Sequence, residues 1–148
     1  MKLVAVGRVR DRSFAASCDD YTRRIGRYGP FETFVVKEAR GEPRARAQTI
    51  EGERLLGKLP RGCRTVVLDE HGRDLTTMQL SQLLDARHRD LRFVIGGAWG
   101  LSDAVKARAD DTIRLSSMTL PHELARVVLL EQLYRAWTII RREPYHNP

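Results

Sequence analysis

Short apolar, β-branched runs alternate with amphipathic stretches along the chain, and this alternation constrains the fold more than any other feature. Lys2–Gly7, Phe31–Val36, Cys63–Asp69, Leu91–Gly96 and Thr112–Leu115 read as strands. Between them, Ser13–Tyr28 carries Phe14, Tyr21 and Ile25 at helical spacing. Further helices are expected from Pro43 to about Leu59, from Thr76 or Thr77 to about His88, and from a Ser102 cap to about Ala109. Pro121 opens a long last helix to about Arg141, and Glu143–Pro148 is a tail. Gly29-Pro30, Pro60-Arg61-Gly62 and a turn at His71-Gly72-Arg73 punctuate the pattern. Strands alternating with helices predict an α/β fold, a mainly parallel sheet with helices on both faces. Ligand sites in such sheets lie beyond the carboxyl ends of the strands. Here those ends are Leu68-Asp69, Gly96-Gly97 and the stretch after Leu115. No repeat or linker divides the 148 residues, so one domain, 1–148, is expected.

The last helix carries a second constraint. Leu124 and Val128 lie on one side, and Val127, Leu129, Leu130, Leu133, Tyr134, Ala136, Trp137 and Ile140 populate most of the rest. A helix resting on one sheet shows one limited apolar stripe. A surface this wide needs cover on two sides, and with so few other elements a second copy is the expected cover, giving a homodimer.

Several function classes fall away. No apolar run approaches the ~20 residues of a membrane span. Arg8, Arg10 and Arg12 interrupt the first apolar run too early for a secretory signal, so a cytoplasmic protein is expected, without membrane attachment. Cys18 and Cys63 stand alone and read as buried free thiols. His71, His88, His122 and His146 show no ligand spacing, so no metal is expected. The formal charge is +7, with 26 Lys+Arg against 19 Asp+Glu. Most of the surplus is arginine, whose fork matches phosphate oxygens, and this suggests a polyanionic partner. Genome base composition alone would give the same bias. The clusters Arg8-Arg10-Arg12 and Arg23-Arg24-Arg27 read either as a phosphate-binding surface or as a solvated face paired with Asp11, Asp19 and Asp20.

Two segments carry chemistry. Ile95-Gly96-Gly97-Ala98-Trp99-Gly100-Leu101-Ser102 follows a strand and opens a helix, either to admit a ligand to the backbone or as a tight turn. It is not a dinucleotide fingerprint, because Ala98 occupies the second required glycine. Trp99 there reads as a base-stacking group or as a shield for the loop. Ser116-Ser117-Met118-Thr119-Leu120-Pro121-His122 offers small polar side chains and backbone amides to a polar ligand, or simply caps the last helix. His122 is an acid–base group or an exposed first-turn residue. Tyr145 and His146 stand unusually close to the chain end for residues without a task.

Taken together, these pieces resemble a known family. Met118-Thr119-Leu120-Pro121-His122-Glu123-Leu124-Ala125-Arg126-Val127, continuing into Glu131-Gln132-Leu133-Tyr134-Arg135-Ala136-Trp137 and then Pro144-Tyr145-His146, is similar to the bacterial ribosomal large-subunit methyltransferase H family of the SPOUT class. Met1-Lys2-Leu3, Val6-Gly7, Tyr21-Thr22-Arg23-Arg24, Leu68-Asp69 and Gly96-Gly97…Gly100 match in order, while Ala98-Trp99 departs from the family pattern. The resemblance implies a SPOUT-type α/β fold with a carboxyl-terminal trefoil knot, a homodimer, and S-adenosylmethionine as methyl donor. The implied reaction is methylation of N3 of a pseudouridine in 23S rRNA (pseudouridine-1915 in reference numbering) on the assembled ribosome.

By the same resemblance, Leu68, Gly97, Ser116, Ser117, Met118, Thr119, Leu120 and Pro121 hold the donor. Tyr145 and His146 are the catalytic candidates. Arg23, Arg24, His122 and Arg135 are the candidates for holding rRNA. The target nitrogen must shed a proton, so a base or a cation near the developing anion is expected. The competing reading is a non-catalytic ribosome-binding factor on the same fold. A tRNA methyltransferase is a weaker one, since the chain carries no added domain to grip free tRNA.

Overall fold

The computed structural model describes residues 1–86 and 90–146. The strands β1 (Lys2–Val6), β2 (Glu32–Val36), β3 (Arg64–Asp74), β4 (Leu91–Ile95) and β5 (Asp111–Arg114) form one sheet in the order β2-β1-β4-β3-β5. All neighbouring pairs are parallel. The helices are α1 (Arg12–Ile25), α2 (Arg44–Leu56), α3 (Thr77–Asp85), α4 (Asp103–Ala107) and α5 (His122–Ile140). Side chains alternate across a strand, and β1 shows the result. Leu3 and Ala5 enter one core with Cys18 and Ile25 of α1, Leu80 and Leu84 of α3, and Leu129, Leu130 and Leu133 of α5. Val4 and Val6 enter the other, with Leu55 of α2 and Val105 of α4. The expected sheet with both faces covered is therefore present. The connections β1→β2 and β3→β4 step one way across the sheet, and β2→β3 and β4→β5 step the other. A single crossover hand then puts α1 and α3 on one face and α2 and α4 on the other.

Local chemistry sets the helix starts. Asp11 accepts from the N–H groups of Ser13 and Phe14 at 2.8 and 3.0 Å and caps α1. Thr76 and Gln79 form a reciprocal capping box at α3. Pro43 and Pro121 sit at the cap positions of α2 and α5.

Four expectations need correction. The helix expected over Ser13–Tyr28 runs from Arg12 to Ile25, and Arg27 and Tyr28 bond back to the Arg24 and Ile25 carbonyls in a tighter turn. The helix expected to reach Leu59 ends at Leu56, although Leu59 stays buried in the core. The helix expected to reach about His88 ends at Asp85, and His88 itself lies outside the described residues. The turn expected at His71-Gly72-Arg73 is a bulge inside β3. Leu68 and Arg73 both pair with Ile113, and Asp74 goes on to pair with Arg114. Gly72 makes the bulge possible, because a side chain there would run into the Ile113 backbone. Arg64 and Arg73 fix the edge by gripping the two oxygens of Asp111 at 2.7 and 3.0 Å.

The wide apolar surface of α5 also has a cover inside the chain. Its buried side chains include Leu129, Leu130, Leu133, Tyr134 and Ala136, and α1 and α3 flank it on the sheet. Thr77 ties α3 to it by donating to Gln132 at 2.8 Å. The sequence argument that made a second copy the expected cover left those two neighbours out.

Candidate active site

The carboxyl ends of β3, β4 and β5 open into a cavity of about 700 Å3. At the end of β4 the chain turns on itself, with Gly100 N–H donating to Gly97 O at 3.1 Å. Gly100 has φ +78°, which favours glycine. A Cβ on Gly96 would lie 2.8 Å from the Gly100 carbonyl carbon, and one on Gly97 would lie 2.7 Å from Glu51 Oε2. Gly96 is thus required by the turn's own packing, and Gly97 sits against Glu51 of α2 and Val6 of β1, whatever the cavity holds. Ser102 then caps α4.

Of the eight residues expected to hold a donor, Leu68, Gly97, Ser116, Met118, Thr119, Leu120 and Pro121 line this cavity, and Ser117 does not. His122 lines it as well. The walls are largely apolar, with Leu68, Ile95, Leu115 and Leu120, while Met118 is 76% exposed at the opening. Ser116 Oγ accepts the Met118 N–H at 2.9 Å and folds the loop. Among the described residues no protein acceptor meets the N–H groups of Ser117, Thr119 and Leu120. Trp99, read from the sequence as a base-stacking group or a shield, lines the cavity too, whereas sequence reasoning missed Arg44, Glu70 and Arg114. Arg44 lies on α2, and nothing near it in sequence signals the cavity.

The charged surroundings are ordered. Asp69 bonds Lys106 Nζ at 2.7 Å and accepts the His71 N–H at 3.0 Å. Burial pushes its carboxyl up, but these partners outweigh that and hold it below the usual carboxylate range. Arg114 grips Asp74 through two bonds, at 2.7 and 2.5 Å. Glu38 accepts from Arg10 at 2.6 Å and Arg40 at 2.8 Å, and its carboxyl also sits low, held first by the Arg40 bond. Glu123 takes the backbone N–H groups of Arg10 and Asp11 at 3.0 and 3.1 Å. Arg126 is buried and donates to Val6 O at 3.1 Å and Gly7 O at 2.9 Å. The first turns of α5 are thereby tied to the end of β1, which steadies the loop that precedes them.

The remaining expected residues lie elsewhere on the chain. Tyr145 donates to Glu131 Oε1 at 3.2 Å, packs edge-on against Tyr134 at 4.7 Å, and lies under the Arg135 guanidinium at 4.7 Å. Burial, with its tyrosine and glutamate neighbours, pushes its phenol well up. Arg135 is itself held by Glu131. His146 has a buried Nδ1 without a partner among the described residues. Asn147 and Pro148 lie outside the described residues. Arg23 and Arg24 both pair with Asp20, at 2.5 and 2.7 Å, and Arg24 also stacks over Tyr21 and Tyr134. None of Arg23, Arg24, Arg135, Tyr145 and His146 lines the cavity of its own chain.

The family described as predicted SPOUT methyltransferase matches residues 1–146. A ribosomal RNA large subunit methyltransferase H of Anaeromyxobacter sp. (strain Fw109-5) is 47% identical, over 99% of this chain and 99% of that protein. Its counterpart in Burkholderia ambifaria (strain MC40-6) is 47% identical, over 98% of this chain and 97% of that protein. A solved structure of a probable methylase family protein from Haemophilus influenzae Rd KW20 is similar over 99% of this chain and 70% of that chain, with a TM-score of 0.59 and 10% identity. That last likeness concerns the fold alone.

Proposed function

The chain belongs to the SPOUT methyltransferase family, within the ribosomal RNA large subunit methyltransferase H group, and from that premise we propose that it transfers a methyl group from S-adenosylmethionine to N3 of a pseudouridine in 23S rRNA. The observation that carries this is the cavity lined by the bulged part of β3 at Leu68–Glu70, the glycine turn after β4 and the loop between β5 and α5. Its volume falls in the range of cofactor pockets. Apolar walls beside free backbone N–H groups fit an adenosine, which offers two flat faces and a polar edge. Leu68, Gly97, Ser116, Met118, Thr119, Leu120 and Pro121 would hold it, with Ser117 completing the loop.

When bound, S-adenosylmethionine supplies a methyl carbon already activated by its sulfonium. The chain's task is therefore to orient the ring nitrogen and take up its proton. His146 and Tyr145 are the proposed substrate-side contacts; Tyr145, its phenol kept protonated and held by Glu131 and Arg135, would orient the ring, while a base or a cation beside the developing anion deals with the proton. Because His146 and Tyr145 lie away from the cavity of their own chain, we place them over the cavity of a second copy in a homodimer, with Arg23, Arg24, His122 and Arg135 meeting rRNA on the ribosome. A single domain with a carboxyl-terminal trefoil knot and a cytoplasmic location complete the reading. No helix among the described residues is long and apolar enough to cross a membrane.

Two measurements test this. Calorimetry with S-adenosylmethionine should give saturable binding; no binding would favour the non-catalytic ribosome-binding factor. Removal of residues 145–148 should abolish methylation of ribosomes while leaving donor binding within about twofold. Normal methylation by the shortened protein would overturn the tail's role. Mapping of rRNA from a strain lacking the gene identifies the target base.

A further inference from the structure

Trp99 is one of the few large apolar side chains left open to water, at 48% exposure, and it is absent from both cores. Its position is nevertheless fixed. The Gly97–Gly100 bridge closes the turn that carries it, and Gln48 Nε2 of α2 donates to its carbonyl at 2.6 Å. Arg44 lies one helical turn before Gln48, on the same face of α2. Arg44 is exposed and has no ion pair among the described residues, whereas nearby Arg46 is held by Glu42 at 3.1 Å. Trp99 and Arg44 both line the cavity, and lining residues that are also exposed stand at its mouth.

We propose that Trp99 and Arg44 form a clamp for one unpaired nucleotide of the substrate RNA at the mouth of the donor cavity, the indole stacking on the base and the guanidinium pairing with its phosphate. The proposal rests on the rRNA methyltransferase reading and adds a contact to it. A flat π-face and an unpaired cation together match a nucleotide, which offers a ring and an anion about one side chain apart. The donor's adenosine has the enclosed Leu68 and Leu120 walls for its own faces, so the exposed indole serves the molecule that arrives from solvent. The surplus of +7 on the chain favours such a partner.

The test uses the full-length protein and a single-stranded oligouridylate of about eight nucleotides. In wild type, the oligouridylate should quench tryptophan fluorescence; Trp99→Phe should keep the affinity within a few-fold and lose most of the quench. Trp99→Ala should weaken oligouridylate binding about tenfold and raise the KM for ribosomes, while calorimetric affinity for S-adenosylmethionine moves less than about twofold. Arg44→Ala should lower the slope of log affinity against log salt by about one. Unchanged oligouridylate affinity in Trp99→Ala, an equal loss of donor affinity, or a wild type that ignores the oligouridylate would each overturn the clamp. Failure of the underlying reading is seen separately, as absence of donor binding by wild type.

Discussion

The two ends of the sheet are built from the same strands and are used in opposite ways. At the amino end, most polar and aromatic groups are taken up by one another, Trp137 Nε1 being buried without a partner among the described residues. The Met1 ammonium donates to Pro30 O at 3.1 Å, Tyr28 stacks on Trp137 at 5.7 Å, and Tyr28 Oη donates to Glu143 at 2.6 Å. Burial and the Glu143 carboxylate push the Tyr28 phenol well up. Buried Arg92 bonds Asp90 and the Lys58 carbonyl. At the carboxyl end, loops stand open, Met118 and Trp99 face water, and the N–H groups of Ser117, Thr119 and Leu120 meet no acceptor among the described residues. On the proposed reading, donor binding belongs to the carboxyl end alone, so mutations at the amino end should move stability without donor affinity, and mutations in the glycine turn should move both.

The largest effect is expected at the amino end. Trp137→Ala removes the stack with Tyr28 and should cost about 3 kcal/mol in urea unfolding, with donor affinity within about twofold of wild type. A parallel loss of donor binding would break the division. At the other end, Gly96→Val forces the glycine turn open. It should weaken S-adenosylmethionine at least about tenfold, or ~1.4 kcal/mol, with a stability cost of about 1–3 kcal/mol. Tyr28→Phe deletes one hydrogen bond to an exposed carboxylate and should cost about 1 kcal/mol without altering methylation.

Smallest is the effect of Asp69. Its native carboxyl sits below the usual range, so the folded state holds the ionised form more firmly than the unfolded chain does. That stabilisation is full above about pH 4 and is lost as pH falls through the lower native value. Asp69→Asn should flatten this acid limb in a stability–pH series and leave the neutral-to-alkaline region parallel to wild type.

Elements with a local signature were legible in the sequence. The alternation of strands and helices and a threonine cap at the start of α3 read directly, the structure choosing Thr76 from the pair Thr76 or Thr77. What was not legible depends on partners far along the chain. Gly72 looks like a turn glycine, and only the close approach of Ile113 makes it part of a strand. Glu51 reads as a surface residue of a helix, yet it is buried and accepts the Ala39 N–H at 2.9 Å. Arg126 resembles any solvated arginine, since its carbonyl partners lie in the first strand. The same limit applies to Arg44, which shares the cavity only because α2 ends its loop there. The arginines of α1 read as a phosphate surface or a paired face, and for Arg23 and Arg24 the pairing with Asp20 is what the fold contains.

The bond from Arg126 to the carbonyls of Val6 and Gly7 reaches back 120 and 119 residues. Synthesis runs from the first strand to the last helix, so β1 emerges long before the side chain that closes its end exists. Contacts spanning most of a polypeptide form late, since the loop between them must first be drawn shut. A chain that stops short of α5 therefore holds most of the cavity's lining residues but not the side chain that ties the end of β1 to the helix behind their loop.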